Sequence, residues 1–217
     1  MNRRPILPMA ALAAVAALSL SACSSGDDSS EANDKIAGAD TAPTASPSPT
    51  AAVPTDTDRP DITLPSDLKL VFEEAQTGDP VKDAVLADSA ERMRAVDAAI
   101  TGTDPKGEAI GYYNTGKSLE AALSWVEQFK DAGATITGEV RYFDREVTLK
   151  GEDSATLTFC ADESKGFSKD KKTGEIARTP VTKNSYVLYN TSLDRNADGV
   201  WQTSQIVSVR GAAQCQR

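Results

Sequence analysis

Residues 186–209 read YVLYNTSLDRNADGVWQTSQIVSV. Two runs in which apolar and polar residues alternate, from Tyr186 to Leu193 and from Trp201 to Val209, flank Asn196-Ala197-Asp198-Gly199. Alternation with a period of two marks a half-buried strand, and Asp-Gly between two such runs marks a hairpin. Upstream, Ala155, Leu157 and Phe159 alternate against Thr156, Thr158 and Cys160. Earlier still, Ile136, Val140 and Tyr142 alternate, followed by Val147 and Leu149. About four strands therefore follow one another with no helical stretch between them, which calls for antiparallel succession. The polar stretch from Asp162 to about Asn184 is expected to be a loop.

The preceding segment has the other period. Asp79-Pro80 offers an N-cap and a first-turn proline. Val81, Val85, Met93, Val96 and Ile100 then keep one helical face apolar up to Gly102. Asp104-Pro105 repeats the start signal for a shorter helix carrying Ile110 and Tyr113. After Gly116, the residues Leu119, Ala122, Leu123, Val126 and Phe129 form the cleanest amphipathic helix of the chain, ending at Gly133. Leu68, Leu70 and Phe72 suggest one short extended segment ahead of the helices. Helices first and antiparallel strands afterwards make an α+β domain, with the helices on one face of a curved sheet.

The N-terminal third is of another kind. Arg3 and Arg4 precede an uncharged apolar run from Ile6 to Leu20, too short for a comfortable membrane span and typical of a signal peptide. It ends at Leu20-Ser21-Ala22-Cys23, which resembles the lipobox of bacterial lipoproteins. The resemblance implies cleavage after residue 22, diacylglycerol on the Cys23 sulfur, and attachment to the extracytoplasmic face of the cell membrane. Acyl chains anchor stably when two are present, at roughly 0.8 kcal/mol per buried CH₂. Residues 23–61 are rich in Ser, Thr, Ala, Pro and Asp, with Ile36 and Val53 as isolated large apolar residues. Such a stretch cannot bury enough surface to offset its ordering entropy and should act as a disordered tether, with a span of about 35 Å. The folded domain is expected over 62–217.

The 217 residues carry a net charge of −9 and no histidine. Removing residues 1–22 takes two positive charges and leaves −11. With no basic stripe to neutralise phosphates, nucleic acid is excluded as a partner. Without histidine, the commonest general base and the commonest neutral metal ligand are missing. Once Cys23 carries lipid, Cys160 and Cys215 remain, and an even remainder in an exported domain most simply makes one disulfide. The alternative, a reactive thiol, has neither a Cys-x-x-Cys motif nor a histidine to activate it. Asp194, Asn196 and Asp198 before Gly199 match the opening of a calcium loop, but Gln205 stands where the bidentate Glu belongs. A plain hairpin turn is the competing reading, and no metal or cofactor is assigned. Lys165, Lys169, Lys171 and Lys172 make a basic loop that could contact anionic lipid headgroups or cell-wall polymer, but Asp162, Glu163 and Asp170 are interleaved, which favours a solvated loop.

Element order, helix lengths and a last strand opening on Asp198-Gly199-Val200-Trp201 make residues from about Gly78 to Cys215 resemble the NTF2-like (cystatin-like, cone-shaped) superfamily. More finely, residues 160–165, 186–191 and 199–203, with the Cys215 tail, resemble uncharacterised secreted lipoproteins of high-GC Actinobacteria. The superfamily implies either a non-catalytic binding or scaffold module, taking an envelope protein or a small apolar ligand, or alternatively a small enzyme of isomerase or cyclase type. The enzyme would need a carboxylate facing a tyrosine inside the cone. Tyr112, Tyr113, Tyr142, Tyr186 and Tyr189 are available, but spacing alone pairs none of them with an acid, so no catalytic residue is assigned. A two-lobed solute-binding lipoprotein is excluded because the folded part is too short.

Overall fold

The structure is a computed structural model, and it describes residues 59–75 and 77–216. Cys23, the leader and nearly all of the linker lie outside the described residues. The order of elements is β1 (Leu68–Phe72), α1 (Pro80–Thr101), α2 (Glu108–Tyr113), α3 (Gly116–Asp131), β2 (Ala134–Leu149), β3 (Ser154–Asp170), β4 (Ile176–Ala177), β5 (Tyr186–Arg195) and β6 (Trp201–Arg210). The domain is α+β, with three helices packed on one face of a curved, mainly antiparallel sheet of strand order β1-β2-β3-β5-β6. Among the described residues, no helix is long and apolar enough to cross a membrane.

The ends of α1 lie where the sequence places them. Asp79 is extended, and its carboxylate accepts from the N–H groups of Val81 and Lys82 at 2.9 and 3.3 Å. Gly102 adopts the left-handed conformation and donates to the Ala98 carbonyl, closing the last turn. The next helix starts later than expected. Residues Asp104 and Pro105 form a turn, and α2 begins at Glu108. The Asp104 carboxylate still satisfies the helix start by accepting from the N–H groups of Gly107 and Ala109 at 3.0 and 3.1 Å. The N-cap is thus Gly107 and not Asp104, whose carboxylate serves the helix start from outside it.

The expected loop from Asp162 to Asn184 begins as strand and is mostly irregular after Asp170. Residues 162–170 continue β3, pairing with β2 as far as Asp170 opposite Ala134, and β4 pairs with β3 beside them. Lysines and serines hid this strand, because its stretch at Glu163–Ser168 borders an open cavity instead of packed core and carries no apolar alternation. Lys165 and Lys169 thus lie on β3, where Lys169 pairs with Asp67 at 2.9 Å. The extended segment ahead of the helices is β1, which joins the sheet parallel to β2.

Curvature comes from β2 and β3. Their register shifts between Glu139 and Arg141 and again between Phe143 and Glu146, where Asp144 has a positive φ of 49°. Bulges of this kind bend a strand and increase its twist. At Gly138, with φ of 100°, an added Cβ would sit 2.0 Å from the Lys165 carbonyl oxygen, so no side chain fits at this bend.

Val85 and Leu86 of α1 pack on Leu157, Phe159, Val187, Leu193 and Trp201 of the concave face. A second cluster joins the three helices through Ala95, Ile100, Ile110, Tyr113 and Ala122. On β3, Cys160 faces the side opposite Phe159. There it bonds to Cys215, and with Phe143 and Ala212 the disulfide pins the C-terminal tail to the outer face. Arg59, assigned by sequence to the linker, pairs with the buried Asp88 of α1, whose other oxygen accepts from the Trp201 N–H at 2.8 Å.

Candidate ligand cavity

The helix layer does not fill the cone. Only Ser118 and Ala122 of α3 are fully buried, while Leu123 and Trp125 are about half exposed, at 50% and 49%. The helix with the clearest amphipathic pattern thus spends much of its apolar face on an open space. A cavity of about 630 Å³ lies between α1, α3 and the concave face of the sheet. Its walls include Leu68, Met93, Val96, Ile100, Ile136 and Val140, with Trp125 and Phe129 from α3. Wide, apolar-walled clefts of a few hundred Å³ are typical sites for small molecules.

The apolar stripe of α1 carries one exception. Met93, Val96, Asp97 and Ile100 fall on a single face by helical spacing, and all four line the cavity. Burial pushes the Asp97 carboxyl up to about 7; Arg92 opposes the rise and Glu163 adds to it. Arg92 also lines the cavity with only 6% of its surface exposed. Its Nε donates to Asn114 Oδ1 at 2.8 Å, and that oxygen also accepts from Ser118 Oγ at 2.8 Å. The Asn114 amide in turn donates to the Ile110 carbonyl at 2.9 Å, so the junction of α2 and α3 holds the guanidinium in place. Burial lowers the Arg92 pKa, and among the described residues no carboxylate lies within ion-pair distance of it.

The sheet supplies the facing groups. Tyr142 of β2 stacks on Phe72 with ring centres 4.7 Å apart, and burial raises its hydroxyl pKa well above the ordinary value. The Tyr189 hydroxyl of β5 is raised as well, by burial and then by Glu163. It donates to Glu163 at the long distance of 3.5 Å. Glu163 is otherwise bound by Arg210 of β6, at 2.7 Å. Among the described residues, neither Arg92 Nη2, nor the Asp97 carboxylate, nor the Tyr142 hydroxyl makes a hydrogen bond. All three residues line the cavity.

Of the five tyrosines considered from sequence, the structure brings Tyr142 and Tyr189 into the cavity with Asp97 and Glu163. Tyr113 is buried among the helices and Tyr186 packs against the disulfide. Trp125 is cavity wall and Trp201 is core. The hairpin residues spend side-chain oxygens on the turn and its neighbour. Asn196 Oδ1 accepts from the N–H groups of Asp198 and Val200 at 3.1 and 2.9 Å, and Asp194 accepts from Ser154 Oγ at 3.1 Å. Among the described residues, no three Asp, Glu or Cys side chains cluster as metal ligands would. Sequence reasoning passed over Asp97 and Arg92. The signal was there, as a carboxylate inside the apolar stripe that defines α1.

Several solved structures are similar to this chain. A ketosteroid isomerase-like protein from Erwinia carotovora atroseptica is 19% identical, with 59% of this chain and 94% of that one covered and a TM-score of 0.36. A protein from Catenulispora acidiphila is 13% identical, with 60% and 91% covered and a TM-score of 0.41. The intermembrane-space region of the chloroplast protein ARC6 is 9% identical, with 63% and 99% covered and a TM-score of 0.38. No family profile and no curated protein matches the chain. At these identities residue roles do not transfer, and the chemistry has to come from this chain's own side chains.

Proposed function

We propose that the protein is a lipoprotein, anchored through Cys23 on the extracytoplasmic face of the membrane, whose domain binds a small, largely apolar molecule without transforming it. The observation that carries the binding role is the 630 Å³ cavity with apolar walls and a few convergent polar groups at its surface. The leader, the Leu20-Ser21-Ala22-Cys23 motif and the polar tether support the location. Exchanging residues 1–23 for an ordinary secretory leader tests both parts. The native chain is expected in the membrane fraction and the exchanged one in the medium; recovery of both in the medium refutes the anchor. The secreted protein, incubated with small molecules extracted from the cell envelope, is expected to gain a sub-kilodalton mass in native mass spectrometry. A clean unliganded mass refutes the carrier.

One observation favours a second reading, proton transfer on the bound molecule. A carboxyl held near 7 beside tyrosine hydroxyls is suited to act as a general base at neutral pH. Deuterium entering the bound molecule from heavy water, and failing to enter with Asp97→Asn, would establish this reading in place of the first.

A further inference from the structure

We infer, resting on the cavity reading above, that the ligand is an amphiphile with a single negative charge, a monocarboxylate, and that Arg92 holds its head while the apolar walls take its tail. Arg92 is a buried cation with no ionic partner among the described residues. Burying a guanidinium is costly unless an anion joins it, and a planar carboxylate matches its fork of donors. Its Nε donates to Asn114 and its Nη1 to the Met93 sulfur, so Nη2 is left without a hydrogen bond on a side chain that lines the cavity.

The charge count selects a monoanion. Besides Arg92, five titratable groups line the cavity: Asp97 on α1, Tyr142 on β2, Glu163 on β3, Tyr189 on β5 and Arg210 on β6. The lining residues of α3 are Ala121, Ala122, Trp125 and Phe129, none of them charged. Arg210 and Glu163 neutralise each other. Arg92 and Asp97 remain, so the net charge is +1 while Asp97 keeps its proton and zero once it loses it. One carboxylate completes the protonated form, and a dianionic phosphate would leave an excess charge. A protonated Asp97 also donates to the incoming head, and the two carboxyl groups then share one proton. Binding of the anion should therefore weaken as the pH rises through about 7, where Asp97 loses its proton.

The test compares decanoate, decan-1-ol and decylamine, which have the same tail and different heads, by calorimetric titration of the secreted protein at pH 6 and pH 8. Decanoate is expected to bind at least about tenfold more tightly than decanol at pH 6, with decylamine weakest. Its affinity is expected to fall about tenfold by pH 8, where decanol does not change. Asp97→Asn should flatten this pH dependence and keep the preference for decanoate. Arg92→Met, checked for native folding by circular dichroism, should abolish the preference and still bind decanol. Decanol binding as tightly as decanoate to the native protein overturns the inference and leaves the cavity reading standing. So does a preference that survives in folded Arg92→Met. If none of the three probes binds, the cavity reading falls and this inference falls with it.

Discussion

Asp97→Asn should stabilise the protein, and only above a certain pH. The carboxyl moves from its ordinary 3.8 in the unfolded chain to about 7 in the folded one. Below about pH 4 it is protonated in both states, and variant and native protein should be equally pH-independent at this site. Between about 4 and 7 the unfolded chain ionises while the folded one keeps its proton, so the native protein loses stability relative to the variant. Above about 7 both states are ionised and the deficit is constant. A rise of that size corresponds to about 4 kcal/mol, and water entering the open cavity trims it to about 2–4 kcal/mol. Asparagine has the shape of aspartate and cannot ionise, so the difference isolates the charge. The assay is urea unfolding of both proteins from pH 4 to pH 8, read as the difference in unfolding free energy. That difference should climb in favour of Asn between pH 4 and 7 and then level off. A difference that stays flat across the range refutes the burial argument for Asp97. A group retained at such a cost to stability is what a binding site, rather than a packed core, demands.

Two further outcomes are expected from the same assay. Replacing both Cys160 and Cys215 by Ala opens a cross-link between residues 55 apart and should cost about 4 kcal/mol, with no further loss on adding reductant. A loss below about 1 kcal/mol would mean that the tail is held by packing alone. Asp88→Ala leaves the Arg59 guanidinium and the Trp201 N–H without their acceptor and should cost about 3 kcal/mol. A neutral result would place the linker's last residues outside the folding unit.

The hairpin at Asn196–Gly199, the caps of α1 and the strand alternation at Ala155–Phe159 could all be read directly, because each is local: a turn, a helix end, a period of two. The strand at 162–170 could not, because it borders an open cavity instead of packed core and so carries no apolar period. The parallel pairing of β1 was hidden too, since residues 68–72 and 138–142 meet only after the helices have crossed between them. For α3, the pattern identified an apolar face and left open whether that face meets the core or an open space. In the fold it does both.

The candidate site follows the same division. Composition alone removed histidine chemistry, and the Cys count led to the disulfide that the structure contains. These conclusions depend only on which residues exist. The cavity depends on where they meet. Asp97 and Arg92 share a helix, but Tyr142, Glu163, Tyr189 and Arg210 come from four different strands and converge only because the bulges of β2 and β3 bend the sheet around them. Local periodicity, charge and side-chain chemistry are written along the chain. That a buried cation, an acid and two tyrosines line one space emerges on folding, since burial and distance are properties of the folded chain.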